Sequence, residues 1–406
     1  MGLFDRFKGL KAAHDAAKSC GDDPFAVRMD DVLSPTEAMI EGRRTILAGT
    51  NNYLGLTFEP SCVEASVEAV RTLGTGTTGS RVANGSYAGH KALESAVADF
   101  FGRRHAMVFT TGYQANLGII ATLAGPQDYL IIDSDSHASI YDATRLSSAT
   151  VLRFKHNDPD DLDRRLSKLG NEAVNKVIVV EGIYSMRGDI APLAEFAAVK
   201  RKHGAYLVVD EAHSMGVMGG KGRGAAEFYG VEGDVDFVVG TFSKSLGAIG
   251  GYCVSDHPEF DILRVACRPY MFTASLPPSI VASVTASLDV MIARPNLRDD
   301  LWANVNQLYG TLQRRGFVLG PHKSPVVAVH LPDPASAIQI WHELLLAGVY
   351  VNLTLPPATP NNTALLRCSV CAAHTSEQLA IVADRLTEIA EQHGVIGGAR
   401  RMAAAG

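Results

Sequence analysis

The sequence predicts an α/β protein: a large domain with a mostly parallel sheet covered by helices, followed by a smaller C-terminal α+β domain. Three observations carry this. Short apolar runs alternate with helical stretches from about residue 56 to 290. Polar, titratable residues stand directly after several of those runs, where open α/β sheets place their ligand sites. Past about residue 291 the alternation ends and a mixed pattern of helices and strands takes over.

Taken in order, residues 1–55 form a lead segment. In Met1-Gly2-Leu3-Phe4-Asp5-Arg6-Phe7-Lys8-Gly9-Leu10-Lys11, helical spacing puts Leu3, Phe4, Phe7 and Leu10 on one face, with Arg6, Lys8 and Lys11 elsewhere. Such a face suits peripheral contact with an anionic membrane; equally, it suits packing on the protein or a partner subunit. Arg6 stands where a myristoylation signal needs Ser or Thr. Residues 56–290 form the large domain. Its strands are expected at 106–109, 130–132, 176–180, 206–209 and 237–239, with helices between them such as 193–203 after Pro192. Residues 291–406 form the smaller domain. It reads as a helix at 301–315, a strand at 326–331, a helix at 335–347, a strand at 365–370 and a helix at 377–393. The tail 397–406 is expected to be disordered.

Composition narrows the function. The chain has 406 residues, 47% of them hydrophobic, enough for a large core. Its net charge of −6 offers no global basic field for nucleic acid. No apolar run reaches the length of a membrane span, which is roughly 18 residues. No apolar segment of signal-peptide type follows Asp5, Arg6 and Lys8, and six scattered cysteines read as reduced thiols, so a cytoplasmic location is expected. Cys368-Ser369-Val370-Cys371 lacks a second ligand pair for zinc and reads as buried strand residues. No metal is expected.

The chemistry concentrates at strand ends. Thr241-Phe242-Ser243-Lys244-Ser245-Leu246-Gly247 follows the run 237–239, and Asp210-Glu211-Ala212-His213 follows 206–209. A lysine among small hydroxyl and glycine residues at such a place can form a Schiff base with an aldehyde cofactor, once its surroundings make the neutral amine accessible. An aspartate on a neighbouring strand end can hold that cofactor's pyridinium nitrogen and keep it an electron sink. Lys244 and Asp210 together therefore predict pyridoxal phosphate. For Asp210 the plain alternative is an N-cap. His213 would point into the same cleft, toward the cofactor's phenolic oxygen or a substrate carboxylate. His137, in Asp135-Ser136-His137-Ala138-Ser139, could stack on the pyridine ring. Thr111-Gly112-Tyr113-Gln114-Ala115-Asn116 opens a helix after a strand, so the amides of Gly112 and Tyr113 suit a phosphate, with Thr241 and Ser243 adding hydroxyls. Residues 74–81, Gly-rich but without a nucleotide P-loop pattern, read as a substrate-covering loop or an ordinary turn. Arg367 sits in an apolar strand, where a buried arginine needs a partner: a substrate carboxylate or a structural acid.

These motifs together resemble the α-oxoamine synthase family of fold-type I pyridoxal phosphate enzymes. The resemblance rests on Asn52-Tyr53-Leu54-Gly55, Gly79-Ser80-Arg81, Ser136-His137-Ala138-Ser139, Asp210-Glu211-Ala212-His213-Ser214 and Thr241-Phe242-Ser243-Lys244. Within the family it is most similar to the soluble bacterial members that acylate serine, from about residue 23 onward. Ser34-Pro35-Thr36-Glu37-Ala38, Glu181-Gly182-Ile183-Tyr184-Ser185-Met186, residues 268–278 and Pro356-Pro357-Ala358-Thr359-Pro360 carry that likeness.

The resemblance implies a decarboxylative condensation of L-serine with a long-chain acyl-CoA, palmitoyl-CoA, giving 3-oxosphinganine at the start of sphingolipid synthesis. It implies catalytic roles for Lys244, His137, Asp210 and His213, with Asn52, Ser80 and Arg367 at the substrate. It also implies a homodimer with a shared active site, in which Thr273 and Ser275 reach the neighbouring subunit's phosphate. One position departs: an arginine can precede the Pro-Pro-Ala-Thr-Pro run in that subgroup, and Leu355 stands here, leaving Arg367 as the carboxylate candidate. The alternatives are a sibling synthase using alanine or glycine (8-amino-7-oxononanoate synthase or a glycine C-acetyltransferase-like enzyme), an aminotransferase, or a silent scaffold. Serine and alanine differ by one hydroxyl, which one or two donors suffice to select.

Overall fold

The computed structural model describes residues 2–169, 175–356, 359 and 363–396. The expected disordered tail and most of the Pro-Pro-Ala-Thr-Pro run lie outside these residues. The chain forms two compact units, one of Met1–Thr50, Met186–Gly188 and Asp300–Gly406, the other of Asn51–Ser185 and Asp189–Asp299.

The first unit opens with a short 3-10 turn, Asp5–Phe7, running into helix α1, Lys8–Ala17. Leu3, Phe4, Phe7 and Leu10 are exposed. Strands β1 (Asp31–Ser34), β2 (Glu37–Ile40) and β3 (Arg43–Leu47) then form an antiparallel meander. No strands were expected in this lead segment; each is only four or five residues long and β1 is largely exposed, so the apolar alternation is weak.

The second unit holds the site. Helices α2 (Pro60–Leu73) and α3 (Ala88–Phe101) lead into β4 (His105–Phe109), α4 (Gly112–Leu123), β5 (Tyr129–Asp133) and α5 (Ala138–Leu146). Next come β6 (Thr150–Phe154), α6 (Pro159–Leu169), β7 (Lys176–Glu181), α7 (Leu193–His203) and β8 (Tyr206–Asp210). The short helix α8 (Ala225–Phe228), β9 (Phe237–Thr241), β10 (Gly251–Ser255) and helices α9 (Leu263–Ala266), α10 (Arg268–Met271) and α11 (Pro278–Ala293) complete it. Seven strands form one sheet in the order β4-β10-β9-β8-β7-β5-β6. The pairs β9–β8, β8–β7, β7–β5 and β5–β6 are parallel, and β10 runs antiparallel between β4 and β9.

All five expected strands of this unit are present. They were legible because both faces are buried, which makes each a continuous apolar run. Met107, Leu130, Ile132, Val177, Val179, Val208 and Val239 pack with Ile119, Ile120 and Ile140 of α4 and α5. The intervening Val108, Ile131, Ile178, Val180, Leu207, Val209 and Val238 are equally buried. Strands β6 and β10 were not expected. β6 is a sheet edge that buries only its last residue, Phe154, and β10 opens on Gly251 after Gly250, a breaker pair.

The remainder of the first unit contains α12 (Asn296–Arg314, starting in the second unit), β11 (Val326–Leu331), α13 (Pro334–Leu346), β12 (Val349–Tyr350), β13 (Asn352–Thr354), β14 (Ala364–Ser369) and α14 (Ser376–Gln392). Strands β11, β14 and β13 form an antiparallel sheet, and β12 extends the β1–β3 sheet by pairing parallel with β3. Cys368 and Cys371 are fully buried, and burial pushes both thiols up to about 12, so they behave as inert core residues. No helix among the described residues is long and apolar enough to cross a membrane.

Candidate active site

Five parallel or flanking strands of the seven-stranded sheet deliver their ends to one cavity of about 270 Å³. Its lining includes Gly112 and Tyr113 after β4, His137 after β5, Glu181 ending β7, Asp210 ending β8, and Thr241, Ser243 and Lys244 at and after β9. His213 lines it too. Eight of the expected site residues, from Gly112 to Lys244, thus line one cavity.

The phosphate end is built from backbone. Thr111 caps α4, its Oγ1 accepting from the Gln114 N–H at 3.0 Å. The amides of Gly112 and Tyr113, in the first turn, have no intrahelical acceptor and carry the positive end of the helix dipole. Gly112 is required here: a Cβ would stand 2.6 Å from Thr241 Cβ. The hydroxyls of Thr241 and Ser243 lie 2.8 Å apart, and Thr241 Oγ1 donates to the Gly250 carbonyl at 2.8 Å.

Lys244 stands in a tight turn, closed by the Gly247 N–H donating to the Lys244 carbonyl at 3.0 Å. Next to it, Ser245 Oγ donates to the Met215 carbonyl at 2.6 Å. That close approach needs Gly216, at φ +75°, where a Cβ would fall 2.6 Å from Ser245 Cβ.

Asp210 is 4% exposed. Its Oδ1 accepts from the Ala212 N–H at 2.9 Å, and its Oδ2 from Asn116 Nδ2 at 2.6 Å. The first bond is the local turn expected of a capping aspartate, yet the side chain also lines the cavity. Glu181, 3% exposed, accepts from the His137 backbone N–H at 2.5 Å. Burial, and then the Asp210 carboxylate beside it, push Glu181 well above the usual carboxylate range. His137 caps α5, its Nδ1 accepting from the Ser139 N–H at 3.2 Å. Desolvation pushes its pKa down, reinforced by Lys244 and opposed by Asp210. His213 is buried, with Nδ1 2.6 Å from the hydroxyl of the fully buried Tyr53.

The donor set fits a phosphorylated pyridine aldehyde. A carboxylate has about four acceptor positions, and Asp210 shows two donors here, leaving capacity for a ring N–H. Asn116 Oδ1, also buried in the lining, meets no donor among the described residues. The backbone cup at Gly112 matches a phosphate, and an amine stands across the same cavity at Lys244.

Other expected residues lie elsewhere. Asn52 Nδ2 donates to Thr57 Oγ1 at 2.8 Å, and its buried Oδ1 has no partner. Ser80 accepts the Ala83 and Gly85 N–H groups on its carbonyl. Thr273 Oγ1 accepts from Gln114 Nε2 at 3.3 Å, and Ser275 Oγ is held by Thr77 and Gly85. None of the four lines the cavity. Arg367, 6% exposed, belongs to the other unit, where Nη1 donates to Ser369 Oγ at 2.9 Å. Sequence reasoning gave no role to Asn116, Ser139, Glu181 or Tyr53. A signal existed for Asn116: it follows Gly112 by four residues and so shares its helix face.

The Aminotransferase class I and II family matches residues 44–386 of this chain. A serine palmitoyltransferase from Caulobacter vibrioides is 60% identical over 401 residues, covering 99% of each chain. A high-resolution serine palmitoyltransferase structure with its pyridoxal phosphate superposes with a TM-score of 0.95 at 51% identity, covering 98% of this chain and 100% of that one. An 8-amino-7-oxononanoate synthase from Pelobacter propionicus is more distant, 39% identical over 88% of this chain and 92% of its own. The chain belongs to the aminotransferase class I and II family, as one of its pyridoxal phosphate-dependent α-oxoamine synthases.

Proposed function

We propose that this protein is a serine C-palmitoyltransferase, joining L-serine to palmitoyl-CoA with release of carbon dioxide and coenzyme A to give 3-oxosphinganine. The observation that carries this is the convergence of Lys244, Asp210, His137 and His213 on one cavity, in a chain alike over its full length to serine palmitoyltransferases. Pyridoxal phosphate, when bound, supplies an electron sink for negative charge at the serine α-carbon.

The chain's own residues do the rest. Gly112, Tyr113, Thr241 and Ser243 hold the phosphate. Asp210 would keep the ring nitrogen protonated, with acceptor capacity left beside its bonds from Asn116 and Ala212. His137 would stack on the ring and His213 would donate to its phenolic oxygen, both side chains lining the same cavity. Lys244 removes the serine α-proton at Nζ and returns a proton after carbon dioxide leaves. Holding serine in one orientation at this site is positioning catalysis.

Two finer features belong to this proposal. The working unit is a homodimer in which Thr273 and Ser275 serve the site of the second copy. In support, neither lines the cavity of its own chain, and the adjoining Phe272 is 70% exposed. The N-terminal face of Leu3, Phe4, Phe7 and Leu10 rests on anionic membrane, with Lys8 and Lys11 at its border. Deleting residues 2–11 is then expected to abolish co-sedimentation with anionic liposomes; unchanged binding overturns that part.

The activity test compares serine, alanine and glycine, each with palmitoyl-CoA, by release of free thiol from the cofactor-loaded protein. Serine alone is expected to sustain rapid release. Faster release with alanine or glycine than with serine would assign a sibling reaction instead.

A further inference from the structure

Asn116 sits at the junction of the site's two anchoring groups. Its Nδ2 donates to Asp210 Oδ2 at 2.6 Å and to Ser139 Oγ at 3.0 Å. Ser139 Oγ lies 2.7 Å from His137 Nδ1, and the Ser139 backbone N–H donates to that same Nδ1. All three linking side chains are buried: Asn116 is 3% exposed, Ser139 0% and Asp210 4%.

The directions of these bonds are forced. An amide nitrogen has two hydrogens and no acceptor, so Asn116 donates both ways. Ser139 Oγ accepts from Asn116, and because His137 Nδ1 already accepts the Ser139 backbone N–H, the hydrogen in the 2.7 Å contact between Oγ and Nδ1 is that of the hydroxyl. Nδ1 then faces two donors, the Ser139 hydroxyl and the Ser139 backbone N–H, and carries no hydrogen itself. The imidazole is neutral, with its hydrogen on Nε2.

We propose that Asn116 and Ser139 are positioning residues that lock His137 as the neutral Nε2–H tautomer and tether it to the carboxylate of Asp210. The proposal rests on the role given above to His137 beside the cofactor. Protonating Nδ1 would set N–H against N–H, remove the cap of α5 and put positive charge at that helix's N-terminus. The titratable groups around His137 are Tyr113 of α4, ring centroids 6.4 Å away, Glu181 of β7, Asp210 of β8 and Lys244. Burial opposes the imidazolium, Asp210 favours it and Lys244 opposes it, and the hydrogen-bond chain adds to the opposition.

The test is nitrogen-15 NMR of histidine-labelled full-length protein, without and with pyridoxal phosphate, the His137 signals being identified by their loss in H137Q. The native protein is expected to show the Nε2–H pattern from about pH 6 to about 8, across the range where an ordinary imidazole titrates. In N116L and in S139A, loss of about one hydrogen bond is expected to raise the His137 protonation constant by roughly threefold to tenfold. S139A keeps the backbone donor and tests the idea if N116L folds poorly. An Nδ1–H pattern in the native protein, or an unmoved titration in both variants, overturns the proposal. Because the cofactor-free spectra read the tautomer directly, a chain that failed to bind pyridoxal phosphate would sink the proposed function and leave this result standing.

Discussion

The Tyr53 hydroxyl lies 2.6 Å from His213 Nδ1, with both residues buried, across 160 positions of sequence. The same hydroxyl is 3.4 Å from Asn51 Oδ1. The 2.6 Å contact fixes the orientation of the His213 ring beside the cavity it lines, whichever of the two atoms carries the shared hydrogen. In Y53F that orientation is lost. The expected cost is about 1 kcal/mol in stability and roughly tenfold in kcat/KM, with weaker cofactor affinity by absorbance titration. Unchanged affinity and turnover in Y53F would remove Tyr53 from the site.

Glu181 is expected to act as a neutral carboxyl that pins the backbone of His137. E181Q keeps an acceptor for the His137 N–H and should hold kcat within about twofold, whereas E181L leaves that N–H unmet and should lose about 1–3 kcal/mol of stability. The pH dependence follows from the raised pKa. The native state binds this proton more tightly than the unfolded chain, so its contribution is complete below the ordinary glutamate pKa of about 4.3 and is lost as pH rises through the folded value. Denaturant melts across pH would show that decline flattened in E181Q; equal slopes in both proteins would contradict the assignment.

His156 is sandwiched between Asp133, 2.8 Å from Nδ1, and Asp189 at Nε2. Burial alone would lower its pKa, but the two carboxylates outweigh burial and hold it up to about 10. Asp133, Asp135 and His156 bring three ligand atoms within 4.8 Å, yet both imidazole nitrogens are already engaged, which makes an ion triad rather than a metal ligand set. The sign is that of a raised histidine: stability is complete below the unfolded pKa of 6.5 and is lost as pH rises through about 10. H156L strands two carboxylates that are 0% and 3% exposed. The expected loss is about 3–5 kcal/mol at neutral pH, with a flatter stability profile above it. A loss under about 1 kcal/mol in urea melts would show that the triad is not charged as described.

The legible part of this protein was what local sequence can encode. The runs 206–209 and 237–239 are strands with both faces buried, and the polar cluster after each lines the cavity, so Asp210, His213 and Lys244 could be brought together from position alone. The hydrogen-bond chain was not legible. Asn116 reaches Ser139 across 23 residues and Asp210 across 94, and neither distance leaves a periodic trace. Glu181 read only as part of a family motif, because its acceptor role depends on β7 lying beside β5. The β1–β3 meander and β10 escaped for the opposite reason: they are short, and tertiary pairing rather than propensity makes them strands.

Everything proposed for the site places the cofactor's aldehyde carbon on the Lys244 amine. Borohydride reduction of the cofactor-loaded protein, followed by digestion and mass spectrometry, tests this most directly. The expected result is a single phosphopyridoxyl group on the peptide carrying Lys244, with no label and no turnover in K244A. A label on another lysine, or full turnover in K244A, would contradict it.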